Sequence, residues 1–131
     1  MPSPDLSDQL KQFVSRSINS VEQLEVLLLL KRDAQREWTA DALSREISTS
    51  RYAAEGRLLD LRARGLATFR EDGQLLHFRY LAGADDAVVT ELAAAYVERR
   101  TSIITMIFSK PNDSIGSFAD AFRLRRPPEQ K

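Results

Sequence analysis

Thr49-Ser50-Arg51-Tyr52, with Arg57 shortly after it, is a run of side chains able to recognise a ligand in this 131-residue chain. Facing DNA, an arginine could donate two hydrogen bonds to a guanine edge, and a tyrosine could touch a phosphate or a thymine methyl. Arg45 lies just upstream as a further phosphate candidate. Arg70 and Arg79 bracket a turn sequence and are candidates for the DNA backbone or minor groove. Other chemistries are poorly served. There is no cysteine, and the only histidine is His77. A metal site needs several donors at ligand spacing, so His77 is expected to be an ordinary strand side chain. A Ser/His/acid triad would have to use the same histidine, and the convergent geometry it needs is foreign to so small a hairpin. The five glycines, at 56, 65, 73, 83 and 116, form no phosphate-cradling loop. The expectation is a non-enzyme with no cofactor, no metal and no catalytic residue.

The elements that must hold these side chains follow from apolar spacing and capping residues. Leu6, Leu10, Phe13 and Val14 predict a first helix over Asp5–Arg16. Asn19 or Ser20 offers a cap for a second, Val21–Arg32, which is apolar almost all round its later turns and therefore buried. Thr39 caps a short helix, Ala40–Ile47. After the polar turn Ser48-Thr49-Ser50 comes the helix Ser50–Arg64, with Ala54, Leu58 and Leu61 on one face and Gly65 at its end. Leu66–Arg70 and Leu75–Tyr80 read as two strands joined at Glu71-Asp72-Gly73. A long helix is expected from Ala87 to Ser109, stopped by Pro111. A last short helix carries Ile115, Phe118, Ala119 and Phe122, followed by Arg123, Arg125 and Arg126. Residues 1–4 and 127–131 are expected to be disordered, leaving a unit over 5–82 and a helical unit over 83–126. The fold class is mainly α with a small β-hairpin (α+β).

The order Leu43, Ile47, Ala54, Leu58, Leu61, Gly65-Leu66 and then a hairpin resembles the winged helix-turn-helix transcription factors. With one helix before this core and long helices after it, the layout of the chain is similar to the MarR-type regulators. The resemblance implies that Ser50–Arg64 is the recognition helix, entering the major groove by its first turn. It also implies a homodimer, built on the terminal helices. The residues assigned to that interface are Leu92, Tyr96, Ile103, Ile104, Ile107, Phe108, Phe118 and Phe122. Two recognition helices would then stand about 34 Å apart on double-stranded DNA.

Charge gives this reading little help. Lys and Arg number 19, as do Asp and Glu. Between Asp41 and Tyr80 there are seven arginines and six acids, a balance of +1. Glu55 and the turn residues Glu71-Asp72 are acidic where phosphates would lie, and Gly56 weakens the middle of the helix. The alternative is a winged-helix module that binds protein instead of DNA, with the C-terminal helices as a docking surface. The longest apolar run, Val26–Leu30, is far short of the roughly 20 residues that cross a bilayer, and no signal peptide is evident. A cytoplasmic protein without a membrane span is expected.

Overall fold

Four of the helices begin at a hydroxyl. Ser7, Ser20, Thr39 and Ser50 each accept a hydrogen bond from the N–H three residues on, at 2.9–3.1 Å. Each satisfies a donor that a helix start otherwise leaves unpaired. The computed structural model describes residues 6–109. Its helices are α1 (Asp8–Ser17), α2 (Val21–Arg32), α3 (Ala40–Ile47), α4 (Arg51–Ala63), α5 (Asp86–Glu98) and α6 (Arg100–Ser109). Its strands are β1 (Ala67–Asp72) and β2 (Leu75–Tyr80). The first helix starts at Asp8 instead of Asp5 because Ser7 is its cap. Ser50 belongs to the cap of α4, which therefore starts at Arg51.

Turn chemistry ends α3 and α4. Ser48 takes a left-handed conformation, φ 56°, and reverses the chain between them. Gly65, φ 79°, closes α4, and the Leu66 N–H returns to the Leu61 carbonyl at 2.9 Å. That closure needs a residue without a side-chain penalty at positive φ.

The hairpin pairs antiparallel in the register Phe69 to Phe78 and Asp72 to Leu75. Pairing thus runs two residues beyond the expected end at Arg70, and the loop is Gly73-Gln74. Gly73 has φ 65° and Gln74 is not left-handed, the pattern of a type II′ turn. Trp38 adds a bridge on the other edge of β2: its N–H donates to the Phe78 carbonyl at 2.7 Å, and the Phe78 N–H donates back at 2.8 Å.

One core joins all the described helices and the hairpin. Leu10, Phe13 and Val14 of α1 meet Leu24, Val26, Leu27 and Leu30 of α2, Leu58 and Leu61 of α4, and Trp38 and Phe78. The expected long helix is two. At Arg99 the backbone leaves helical geometry, with φ −133° and ψ 48°, and α6 begins at the next residue. No proline or glycine marks the place. The break lets α6 lie against α1, where Ile103 and Ile107 are buried.

This changes the surface open to a second subunit. Leu92, Tyr96, Ile103 and Ile107, expected at an interface, lie in the chain's own core. Ile104 is half-buried, while Val97 and Phe108 are 83% and 71% exposed. Phe118 and Phe122, with the expected last helix, lie outside the described residues, as do the two segments expected to be disordered. Among the described residues no helix is long and apolar enough to cross a membrane.

Candidate nucleic-acid interface

The α3–turn–α4 pair presents the first turn of α4 outward. Ala54, Leu58 and Leu61 anchor α4 in the core, which turns Arg51 and Tyr52 to solvent. Thr49 is half-buried and its N–H is held by the Ser44 carbonyl at 3.0 Å. The Ser50 hydroxyl is occupied with the Ala53 N–H at 2.9 Å. Arg51 and Tyr52 are the two long, exposed side chains of that run. The Arg51 side chain is exposed and makes no hydrogen bond or ion pair among the described residues, and Tyr52 is 88% exposed.

The other arginines differ in how far they are committed. Arg45 pairs with Asp41 one turn back. The Arg57 Nε donates to Glu22 of α2 at 2.7 Å, a half-buried pair that ties α4 to α2. Arg64 pairs with Asp60 at 3.1 Å. Arg70 is held in a fork: its Nε and one terminal nitrogen donate to the two carboxylate oxygens of Glu37, both at 2.8 Å. Arg62 lies over the Phe69 ring at 4.4 Å. The Arg79 side chain is exposed and makes no hydrogen bond or ion pair among the described residues. Exposed pairs contribute roughly 0–1 kcal/mol and exchange readily for a phosphate. The forked Glu37–Arg70 pair is geometrically the strongest of the set.

The hairpin's faces separate the candidates. Strand alternation puts Phe69, Leu76 and Phe78 on the side toward α3 and α4, where Arg51, Asp41 and Glu55 line a cleft of about 240 Å³ with Leu76 and Phe78. Thr68, Arg70, His77 and Arg79 share the other side with Glu37. Arg51 and Tyr52 therefore form one surface, and Arg70 and Arg79 another. The sequence singles out Arg70 but not its partner, because Glu37 lies 33 residues earlier and no local spacing links them.

Two carboxylates are perturbed by what they hold. The Arg70 fork keeps the Glu37 carboxyl below the usual glutamate range, chiefly through its hydrogen bond. The Asp86 carboxyl is held low by hydrogen bonds from the Tyr80 hydroxyl, at 2.5 Å, and Lys31, at 3.0 Å. Burial, with the bond to Asp86, raises Tyr80 and keeps it neutral. This trio joins the end of β2 and the end of α2 to the start of α5.

The sign for Glu37 is fixed. A folded value below the unfolded one means the clamp is fully present above the ordinary glutamate range and is lost as pH falls through the lowered value. We expect an NMR titration of the Glu37 carboxyl to show a midpoint below that of an ordinary glutamate, and Arg70→Ala to restore it. An unchanged midpoint in Arg70→Ala would show that the fork does not hold the carboxylate.

Among the described residues no group of three or more His, Cys, Asp or Glu could hold a metal ion. An exposed guanidinium beside a phenol can donate hydrogen bonds to a ligand.

No family model and no curated protein matches the sequence. Solved structures do match the fold. The transcriptional regulator HlyU from Vibrio vulnificus is 21% identical, with 65% of this chain and 85% of that one covered and a TM-score of 0.52. Wild-type MarR from E. coli, in its apo form, is 15% identical over 91% of this chain and 87% of its own, at 0.51. A homodimeric winged helix-turn-helix DNA-binding domain from Mycobacterium bovis is 24% identical over 75% and 91%, also at 0.51. The architecture is a winged helix-turn-helix core in a MarR-like layout.

Proposed function

We propose that this chain is a DNA-binding transcriptional regulator without catalytic activity, acting as a homodimer. The observation that carries the reading is the first turn of α4. A winged-helix scaffold fixes it outward, and it presents a guanidinium with no partner among the described residues beside an exposed phenol. A recognition helix reads base edges with that turn. Arg51 is the residue assigned to base contact, and Tyr52 to phosphate or a thymine methyl. Ser50 contributes chiefly as the cap of α4, its hydroxyl accepting from the Ala53 N–H, and the Thr49 hydroxyl is assigned to a phosphate. Arg45, Arg57 and Arg79 are assigned to phosphates, the first two by exchange of their present carboxylate partners. HlyU is a transcriptional regulator and the M. bovis domain is a homodimeric DNA-binding one, which supports the reading at the level of the fold. Dimerisation falls to what α5 and α6 leave open, namely Val97, Ile104 and Phe108, together with Phe118 and Phe122 farther along the chain.

The alternative, a winged helix that binds protein, draws on Glu55 and Glu71-Asp72, which would lie near phosphates. It parts from the lead on one test. Binding to fragments of genomic DNA at low salt, in a mobility-shift assay, is expected for the regulator. Protein that retards no fragment supports the alternative.

The Glu37 clamp adds a prediction. Glu37→Gln frees Arg70 for a phosphate, and each phosphate contact adds about 0.9 to the slope of log affinity against log salt. We expect Glu37→Gln to bind duplex DNA more tightly at low salt, with a slope steeper by about one. An unchanged slope would place Arg70 off the DNA.

A further inference from the structure

Helix α4 has two apolar faces. Ala54, Leu58 and Leu61 fill one, in the chain's own core. Tyr52, Gly56, Leu59 and Ala63 form the other, at intervals of four, three and four, the spacing of a coiled-coil seam. All four are exposed, Tyr52 at 88% and Leu59 at 41%. A side-chain carbon placed on Gly56 would meet nothing within 4 Å, so the glycine is an open notch on the helix surface. The seam reads large, small, large, small.

We propose that this face docks on the same face of a second copy, with the two α4 helices antiparallel. The sizes fit that orientation alone. A two-fold axis between residues 57 and 58 sets Tyr52 over Ala63 of the second copy and Leu59 over its Gly56. A parallel pair would set Tyr52 on Tyr52 and leave Gly56 facing Gly56. The charges fit as well. Glu55 and Arg62 flank the seam on the same side, and antiparallel pairing brings each Glu55 to Arg62 of the second copy, twice by symmetry. Neither makes an ion pair among the described residues of its own chain; Arg62 rests on the Phe69 ring at 4.4 Å, exposed. Parallel pairing would instead bring Glu55 to Asp60 of the second copy, like charge to like charge. The seam spans about three turns, so the association is modest, and Arg51 and Tyr52 lie beneath it. The paired form cannot offer this surface to DNA. The proposal itself does not rest on DNA binding, and its test contains a step that reads no DNA.

The chain has no cysteine, so single cysteines report the pairing cleanly. Residue 56 lies three residues out of step with its counterpart, about 4.5 Å along the axis, and so does residue 59; residue 52 lies eleven out of step, about 16 Å. Disulfides require Cα atoms within about 7 Å. Under oxidation of the full chain, Gly56→Cys and Leu59→Cys are expected to cross-link between copies and Tyr52→Cys is not. In sedimentation equilibrium, Glu55→Arg and Arg62→Glu should each weaken self-association about tenfold, the effect of ~1.4 kcal/mol, and the double variant should restore it. Equal cross-linking at 52 and 56 overturns the proposal. So does self-association indifferent to both reversals, or a double variant no better than the singles. If Glu55→Arg raises affinity for duplex DNA while self-association stays unchanged, the face belongs to DNA and the proposal fails.

Discussion

Trp38→Ala is expected to lose about 3–5 kcal/mol of stability, the range for removing a fully buried tryptophan. Trp38 is completely buried in the core, and its backbone holds β2 through both hydrogen bonds to Phe78. Arg36 stacks over its ring at 3.6 Å. Without the indole, the segment between α2 and α3 loses its anchor, and the edge of β2 loses the chain that pairs with it. A small domain has only about 5–15 kcal/mol in total, so this single change removes a large share. Urea denaturation followed by circular dichroism measures it, since Trp38 is the only tryptophan and fluorescence disappears with it. Trp38→Phe keeps most of the packing and should retain most of the stability. A Trp38→Ala loss below about 1 kcal/mol would show that the site is less tightly packed than its burial implies.

Gln23→Met is expected to cost about 2–4 kcal/mol although it preserves length and shape, because each buried group left unpaired costs about 1–3 kcal/mol. The Gln23 side chain is buried and engaged at both ends. Its amide nitrogen donates to the Ser17 carbonyl at 3.0 Å and to the Asp60 carboxylate at 2.7 Å. Its oxygen accepts from the Asn19 N–H at 2.6 Å. One side chain therefore fixes the turn between α1 and α2 and pins it to α4. Methionine fills the volume and serves none of these groups. Asp60 keeps Arg64, which limits the total. A cap variant such as Ser7→Ala, at about 1 kcal/mol, gives the scale for a single local bond. If Gln23→Met matches the cap variant in urea denaturation, the network does not act as a unit.

What the sequence shows well is what short-range chemistry decides. The bounds of α2, α3 and β2 are those expected, because Ser20 and Thr39 cap the helices and Gly73 sets the hairpin turn. Leu43, Leu58, Leu61 and Leu66 are buried as their spacing requires. What it hides depends on distant contacts. The break at Arg99 has no proline or glycine to mark it; it exists because Ile103 and Ile107 can be buried against α1. The apolar surplus on α5 and α6 is therefore spent mostly within the chain, and Leu92 and Tyr96 are core residues. Arg57 and Arg70 look free in sequence and are held by Glu22 and Glu37, 35 and 33 residues away. The seam through Tyr52, Gly56, Leu59 and Ala63 is present as spacing, but it shares its helix with a stronger core pattern. That core pattern turns Arg51 outward, and the proposed function depends on it.

Binding of the full chain to duplex DNA, measured by fluorescence anisotropy across a salt series for wild type and Arg51→Ala, tests that dependence most directly. Wild-type protein should bind at low salt and weaken linearly as log affinity against log salt. Arg51→Ala should bind about 10–100-fold more weakly, equivalent to ~1–3 kcal/mol for a lost two-bond contact to a base. A wild-type protein with no affinity at low salt, or an Arg51→Ala protein that binds as wild type does, would contradict the assignment of α4 as a DNA-reading helix.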